Sequence, residues 1–92
     1  MIKSFAHKGL ERFFTKGSKA GIQATHAAKL RMQLTALHTA VDIDDMRLPG
    51  WRLHGLTGRQ ENTWSIWVNG NWRVTFVFEN GNAYIVNYED YH

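Results

Sequence analysis

The last six residues of the chain carry a dense set of reactive groups. The run from Asn87 to His92 supplies one amide, two phenols, two carboxylates and one imidazole, at the end of a pattern typical of a strand. An imidazole titrates at about pH 6.5 and can transfer protons near neutral pH, while a guanidinium holds an anion through a planar fork of N–H donors. His54 and Arg73 are the upstream residues that could complete such a site. We therefore expect the preceding residues to form a platform that holds this tail against His54 and Arg73.

The platform is predicted to be an antiparallel sheet that begins at Thr63. Turn signals at Asn69-Gly70 and Asn80-Gly81 separate three runs of strand-like alternation. The register matters, because a slip of one residue would exchange the two faces of a strand. We favour a three-residue loop, 69–71, over a two-residue turn, because it places seven apolar residues on one face. These residues are Trp64, Ile66, Val68, Trp72, Val74, Phe76 and Phe78.

The second hairpin is predicted to have a two-residue turn at Asn80-Gly81. The pairs that follow from this turn are Phe78 with Ala83, Phe76 with Ile85, and Arg73 with Tyr88. The outward, polar face is then expected to hold Ser65, Trp67, Arg73, Thr75, Tyr84, Tyr88, Asp90 and His92. Alternation sends Tyr91 to the opposite face. We therefore expect the chain beyond Glu89 to leave regular strand.

Two helices are predicted upstream of the sheet, from about His7 to Lys16 and from about Gln23 to Ala40. Gly17 is a natural C-terminal cap for the first helix, and the short connection indicates an antiparallel pair. The apolar stripe of the second helix comprises Ala27, Leu30, Leu34, Leu37 and Val41. The polar residues expected off that stripe or at the surface are His26, Lys29, Arg31, Gln33 and His38.

Three shorter segments complete the prediction. Ile2 to Phe5 could form a short strand, and Trp51 to His54 alternates so that Arg52 and His54 share a face. The acidic run from Asp42 to Asp45 lacks the glycine and the distal glutamate of a calcium loop. We therefore interpret it as a loop with at most one helical turn.

Composition narrows the possible classes of protein. The chain has 92 residues, which predicts a single domain, 1–92, and no cysteine, which excludes disulfides and thiolate zinc sites. Its formal charge is +3, and residues 1–39 hold seven Lys and Arg against the single acid Glu11. Such asymmetry favours a polyanionic partner, although a solvated helix face explains it equally well. No segment resembles a signal peptide or a membrane span, so we expect a cytoplasmic protein.

Three groups of residues resemble a known family. They are Leu53-His54-Gly55-Leu56-Thr57-Gly58, then Trp64-Ser65-Ile66 with Asn71-Trp72-Arg73-Val74-Thr75-Phe76, and the ending Asn87-Tyr88-Glu89-Asp90-Tyr91-His92. Together they resemble the HigB toxins of the RelE superfamily, which belong to bacterial type II toxin–antitoxin systems. The resemblance covers the whole chain. Thr57 and Asn69 stand where some relatives carry basic residues.

The resemblance implies an α+β fold, with a short N-terminal strand and two antiparallel helices packed on one face of a small antiparallel sheet. It also implies a ribosome-dependent endoribonuclease that cuts mRNA in the decoding site and is neutralised by a HigA-type antitoxin. The catalytic residues that it implies are His54, Arg73, Asp90, Tyr91 and His92. To these we add Arg52, Arg59, Trp67 and Asn71 as expected RNA-binding residues.

Cleavage of RNA by its own 2′-hydroxyl needs a base, an acid and a cation, but no metal or other cofactor. We assign proton transfer to His54 and His92, orientation to Asp90 and the scissile phosphate to Arg73, with Tyr91 stacking on a base or stabilising the attack. His54, Asp90 and His92 could instead bind zinc, but no short-spaced ligand pair favours this. The other functions considered are a non-catalytic, degenerate toxin that binds only antitoxin or RNA, and a general RNA-binding module.

Overall fold

The computed structural model describes residues 1–91, so His92 lies outside the described part of the chain. The helices are α1 (Lys8–Lys16) and α2 (Ala27–Thr39), and the strands are β1 (His54–Gly55), β2 (Thr63–Asn69), β3 (Trp72–Glu79) and β4 (Asn82–Asp90). The strands form one antiparallel sheet in the order β1-β2-β3-β4. Short 3₁₀ turns span Ala24–His26 and Ile43–Met46. The predicted α+β class is confirmed.

Helix α1 has the ends that its sequence predicts. Nδ1 of His7 accepts a hydrogen bond from the backbone N–H of Leu10 at 2.9 Å, which caps the N-terminus. Gly17 ends the helix in the left-handed conformation, with φ of 75°. Near its start, Gly9 packs so closely on Gly21 that an added Cβ would lie 2.6 Å from the Gly21 carbonyl oxygen. The absence of a side chain therefore allows the two backbones to meet.

Helix α2 buries most of the predicted stripe against the sheet. Leu30, Leu34 and Leu37 have no exposed surface, and each such leucine contributes roughly 1.5–3 kcal/mol by leaving water. The inward position predicted for Val41 is wrong, because the helix ends at Thr39 and leaves Val41 80% exposed. The surface positions predicted for Gln33 and His26 are also wrong, since both side chains are buried.

The N-terminal segment runs parallel to β4. The predicted short strand is present as two isolated bridges, Ile2 with Ala83 and Phe5 with Val86. Between them, Ser4 accepts a hydrogen bond from Val86 through its carbonyl oxygen and one from Ile85 through its Oγ. This segment therefore holds the middle of β4 from outside the sheet.

The first hairpin has the predicted pairing along most of its length. Ile66 pairs with Val74 and Trp67 pairs with Arg73, as the burial of one apolar face requires. The predicted three-residue loop is wrong at the turn itself, because Asn69 pairs with Trp72 and Val68 is the extra residue of a bulge. All seven apolar residues still pack in or against the core.

The second hairpin departs from the predicted register in its second half. Phe78 pairs with Ala83 as expected, but β4 has two residues, 85 and 86, where β3 has only Phe76. This bulge shifts the rest of the strand by one position, so Arg73 pairs with Glu89. The predicted pairs Phe76 with Ile85 and Arg73 with Tyr88 are therefore wrong.

The remaining segments are short. Strand β1 is limited to His54–Gly55, and the positive φ of Arg52, 50°, interrupts the extended run predicted before it. The acidic run forms one helical turn in which Asp42 and Asp45 make a reciprocal capping box. Asp44 forms an ion pair with Arg47. The predicted loop with one helical turn is confirmed, and its carboxylates are used for local structure.

Candidate active site

An open cleft of about 460 Å³ lies on the polar face of the sheet. Its wall is built by residues from β1, β2 and β3, from the segments before and after β1, and by the residue after β4. The lining residues are Arg52, Leu53, His54, Leu56, Ser65, Arg73 and Tyr91. His54 pairs with Ser65 across β1 and β2, which fixes its position at the sheet edge and leaves its side chain exposed. The cleft therefore brings together three of the residues predicted to be catalytic, namely His54, Arg73 and Tyr91.

Arg73 supplies a cation to this cleft. Its Nη1 donates hydrogen bonds to the carbonyl oxygens of Gly70 and Trp72, both at 3.2 Å. Within residues 1–91, no carboxylate lies within ion-pair distance of its guanidinium. Glu89, which is opposite Arg73 in the sheet, forms its ion pair with Arg59 instead. The charge of Arg73 is thus well placed to attract an anion into the cleft.

Tyr91 lies between two arginines at the end of β4. Its ring centroid is 5.8 Å from the guanidinium carbon of Arg73 and 5.7 Å from that of Arg59. Its backbone N–H donates to the carbonyl oxygen of Asn71 at 2.8 Å, and its hydroxyl accepts a hydrogen bond from Nη2 of Arg59 at 3.0 Å. The predicted placement of Tyr91 on the face opposite Arg73 is wrong, because the bulge at 85–86 brings it onto the Arg73 face.

Glu89 anchors the loop that carries Arg59. Its two carboxylate oxygens accept hydrogen bonds from Nη1 and Nη2 of Arg59, at 3.0 and 3.2 Å. The hydroxyl of Thr75 donates to the same carboxylate. Burial acts to raise the pKa of Glu89, but the hydrogen bonds from Arg59 and Thr75 and the charge of Arg59 outweigh it, so its pKa is lowered. Glu89 therefore stays ionised at neutral pH.

Asp90 lies on the other side of the strand. It pairs with Trp72, whose side chain packs against the core, and its charge contributes to the raised pKa of Tyr88 after the larger effect of burial. The prediction that Asp90 shares a face with Arg73 is wrong. The predicted role of His92 falls on a residue outside the described part of the chain.

Trp67 has cations against its ring. Nζ of Lys29 lies 4.6 Å from the ring centroid and the guanidinium carbon of Arg52 lies 4.2 Å from it. The indole N–H donates to the carbonyl oxygen of Gly70 at 2.8 Å, and Nε2 of Gln33 donates to the Trp67 carbonyl oxygen. The predicted position of Trp67 beside Arg73 is confirmed, and Lys29 joins this group without having been predicted.

The family of this chain follows from its similarity to known proteins. A family model described as the RelE-like toxin of the type II toxin–antitoxin system HigB matches residues 3–92. The chain belongs to this family. A curated protein from Proteus vulgaris, Endoribonuclease HigB, is 49% identical over 92 residues, which is the full length of both chains. The predicted family is thus confirmed, and an antitoxin is the expected partner of this HigB-like toxin.

A buried polar cluster connects the helices of the HigB-like toxin to the strand that ends at the cleft. The Tyr88 hydroxyl lies 2.5 Å from Nδ1 of His26, and its ring stacks on Trp72 with centroids 4.4 Å apart. His7 makes an edge contact with the same ring. Burial lowers the pKa of both His26 and His7, and the charge of Arg12 lowers that of His7 further. Both histidines are therefore neutral at pH 7 and act as structural contacts of β4.

Sequence reasoning missed the residues that support the cleft from outside it. Glu89 and Thr75 hold Arg59, and Lys29 packs on Trp67. Strand alternation predicted that Thr75 shares the polar face with Arg73. It did not show that Glu89 also lies on that face. Arg59, predicted to bind RNA, is engaged with Glu89 and Tyr91.

The described residues offer neither a metal-binding cluster nor a membrane-spanning helix. Within residues 1–91, no group of three or more His, Asp or Glu side chains converges in a way that could hold a metal ion. In the same part of the chain, no helix has both the length and the apolar character needed to cross a bilayer.

Proposed function

We propose that this HigB-like toxin is an endoribonuclease that cuts ribosome-bound mRNA by metal-free attack of a 2′-hydroxyl. The observation that carries the proposal is the convergence of His54, Arg73 and Tyr91 on one open cleft. The name of the Proteus vulgaris relative, Endoribonuclease HigB, supports the same reaction class at 49% identity. The guanidinium of Arg73 can supply the cation that such a cleavage needs, and the imidazole of His54 can supply a proton-transfer group.

The reaction begins when the 2′-oxygen attacks the adjacent phosphorus. A general base removes the 2′-hydroxyl proton, the bond between phosphorus and the 5′-oxygen breaks, and a general acid protonates the leaving oxygen. The products are a 2′,3′-cyclic phosphate and a 5′-hydroxyl. His54 and His92 are proposed as the two proton-transfer groups, since a neutral imidazole accepts a proton and an imidazolium donates one near pH 7.

Arg73 is proposed to bind the non-bridging oxygens of the scissile phosphate. Negative charge builds on these oxygens during the attack, and a guanidinium already in place stabilises it without reorganisation. Tyr91, beside Arg73, would position the phosphate through its hydroxyl. Asp90 lies on the side of β4 opposite Arg73, so its proposed role is to orient a proton-transfer group and not to contact the phosphate.

The substrate is proposed to be mRNA in the decoding site of the ribosome in the bacterial cytoplasm. The cleft is open, so a folded surface such as the ribosome would have to present the single strand in a reactive geometry. The seven Lys and Arg residues of residues 1–39 include Lys8, Arg12 and Lys16 of α1, all of them exposed. These would contact ribosomal RNA phosphates, and the contacts would weaken as salt increases.

The decisive experiment is to induce the chain in bacteria without its antitoxin and to map the 5′ ends of translated messages. We expect growth arrest and new ends inside reading frames, both abolished by deletion of His92. Arg47→Ala is the matched control, because Arg47 forms only an exposed ion pair with Asp44. Normal growth with intact mRNA would refute the proposal. Equal cleavage of naked RNA by the purified protein would refute its ribosome dependence.

A further inference from the structure

A connected set of side chains ends on the hydroxyl of Tyr91. Thr75 donates to the carboxylate of Glu89, which accepts both Nη1 and Nη2 of Arg59, and the same Nη2 donates to the Tyr91 hydroxyl at 3.0 Å. Each member comes from a different segment: β3, β4, the loop 56–62 and the residue after β4. These hydrogen bonds therefore connect buried Thr75 of the sheet to Tyr91, which lines the cleft.

The contact between Arg59 and Glu89 is more restricted than an ordinary surface ion pair. The exposed fractions of the two side chains are 41% and 23%, and the carboxylate has the further hydrogen bond from Thr75, which is buried. The two parallel N–H···O bonds fix the plane of the guanidinium as well as its position. Arg59 is thus held in one orientation, with an N–H directed at Tyr91.

Tyr91 needs such a contact because the sheet does not orient it. Strand β4 ends at Asp90, and the backbone of Tyr91 is held by one hydrogen bond to the Asn71 carbonyl oxygen. Its ring is half-buried between Arg59 and Arg73, which attract it without fixing the direction of its hydroxyl. The hydrogen bond from Arg59 does fix that direction.

This hydrogen bond also determines what the hydroxyl can do. A phenol oxygen both donates and accepts hydrogen bonds. Since an arginine N–H can only donate, it occupies an acceptor position of the Tyr91 oxygen. The hydroxyl proton must therefore point away from Arg59. Tyr91 is left as a hydrogen-bond donor, which suits a phosphate oxygen.

We propose that Arg59 and Glu89 are positioning residues that orient the Tyr91 hydroxyl as a donor to the RNA phosphate in the cleft. This inference rests on the proposed nuclease function and differs from a direct RNA-binding role for Arg59. A guanidinium that binds RNA would have to leave Glu89. A guanidinium that positions Tyr91 must stay paired with Glu89. The two roles therefore predict opposite effects of weakening the ion pair.

The test measures single-turnover cleavage of mRNA on purified ribosomes, at a series of toxin concentrations and salt concentrations. Glu89→Gln keeps the shape of the side chain but removes the charge that holds Arg59. We expect its maximal cleavage rate to fall by about 10- to 100-fold, with the half-saturating toxin concentration and the salt dependence unchanged. Arg59→Lys keeps the charge but cannot reach both carboxylate oxygens and the phenol, so the same loss is expected.

The opposite result would overturn the inference. If Arg59 acts by binding RNA, Glu89→Gln frees it, and cleavage stays the same or improves at limiting toxin. Arg59→Ala would then raise the half-saturating concentration and reduce the salt slope by about one, and Arg59→Lys would keep most of the activity. Arg47→Lys is the matched control, because Arg47 forms an exposed ion pair and does not line the cleft. This variant should behave as the parent protein does.

A double-variant cycle separates positioning from damage to the fold. In the Tyr91→Phe background there is no hydroxyl to orient, so adding Glu89→Gln should slow cleavage by less than twofold. If Glu89→Gln slows cleavage as strongly in the Tyr91→Phe background as in the parent protein, the inference is contradicted. Circular dichroism and thermal unfolding of each variant identify any that fail to fold, and Arg59→Lys then carries the test. If the parent protein itself does not cleave, the proposed function fails, which is a different outcome from variants that match an active parent.

Discussion

Arg73 on β3 lies directly across from Glu89 on β4, and this pairing places Tyr91 on the face of the sheet that carries Arg73. The pairing depends on the bulge at residues 85–86, where Ile85 has a positive φ of 54°. Ser4 stabilises that bulge by accepting the backbone N–H of Ile85 at 2.8 Å. A residue near the N-terminus thus helps to decide which groups at the C-terminus enter the cleft.

Replacement of Arg73 should slow cleavage more than it weakens binding. Arg73→Ala removes a cleft guanidinium that forms no ion pair within residues 1–91, and loss of a preorganised charge at a developing oxyanion costs about 100-fold or more. The measurement is the single-turnover rate on ribosome-bound mRNA, with Arg47→Ala as the control. A variant that cleaves at the parent rate would show that Arg73 has no part in stabilising the transition state.

Removal of the Ser4 hydroxyl should destabilise the protein. Ser4→Ala leaves the Ile85 N–H without its side-chain acceptor, at a cost of about 1 kcal/mol in the free energy of unfolding. Urea denaturation measures this change. Ser18→Ala is a suitable control, because Ser18 accepts only a 3.4 Å hydrogen bond from Ala20. Equal stability of the two variants would mean that Ser4 does not support the bulge.

A change of residue at the bulge itself should act in the opposite direction. Isoleucine is β-branched and fits poorly at a φ of 54°, whereas asparagine tolerates the left-handed region. Ile85 is 47% exposed, so Ile85→Asn gives up less burial than the same change at a core position. We expect the free energy of unfolding to rise by about 1 kcal/mol. Destabilisation of that size would instead indicate that the apolar side chain matters more than the backbone conformation.

The two hairpins show which parts of a sheet can be predicted from sequence. In the first, the burial of one apolar face fixed the pairing of Ile66 with Val74, even though the turn was predicted one residue too long. In the second, alternation continued through Ile85, whereas the strand has a bulge there. The cause of the bulge includes a contact with Ser4, which is 81 residues away in sequence. Local periodicity contains no information about such a contact.

Site residues that lie in the family motifs could be predicted from the sequence. The residues that support them could not. His54, Arg73 and Tyr91 share the cleft as expected from the family. His26 was predicted to be a surface helix residue, and the helical spacing placed Gln33 off the apolar stripe. Their polar partners, the Tyr88 hydroxyl and the Trp67 carbonyl oxygen, come from the sheet, so burial becomes favourable only once helix and sheet are packed together.

Loss of Arg52 should weaken RNA binding without changing the chemistry. Arg52 lies against Trp67 and lines the cleft, so we expect it to contact a phosphate of bound RNA. We expect Arg52→Ala to reduce the salt slope of ribosome binding by about one, with the maximal cleavage rate retained. Arg47→Ala is again the control. An unchanged salt slope would exclude a phosphate contact for Arg52.

Acid should destabilise the fold through His26. Burial lowers the pKa of His26 in the folded state below the ordinary value of 6.5, so the unfolded state binds a proton more readily. The contribution of His26 to stability is therefore fully present above pH 6.5. It is lost progressively as pH falls from there through the lowered pKa. Thermal unfolding measured across this range should show a falling melting temperature, to which half-buried His7, whose pKa is also lowered, adds in the same direction.

The variant His26→Gln tests the assignment of this pH dependence. Glutamine is neutral at every pH and can still form a hydrogen bond with the Tyr88 hydroxyl, so the melting temperature should fall less steeply with acid than in the parent protein. Thr25→Ala, at the exposed neighbouring residue, should keep the parent slope. The absolute stability of His26→Gln at pH 7.5 is expected to drop, because the aromatic contacts of His26 with Trp72 and Tyr88 are lost. An unchanged slope in this variant would show that the acid sensitivity arises elsewhere, with His7 as the next residue to test.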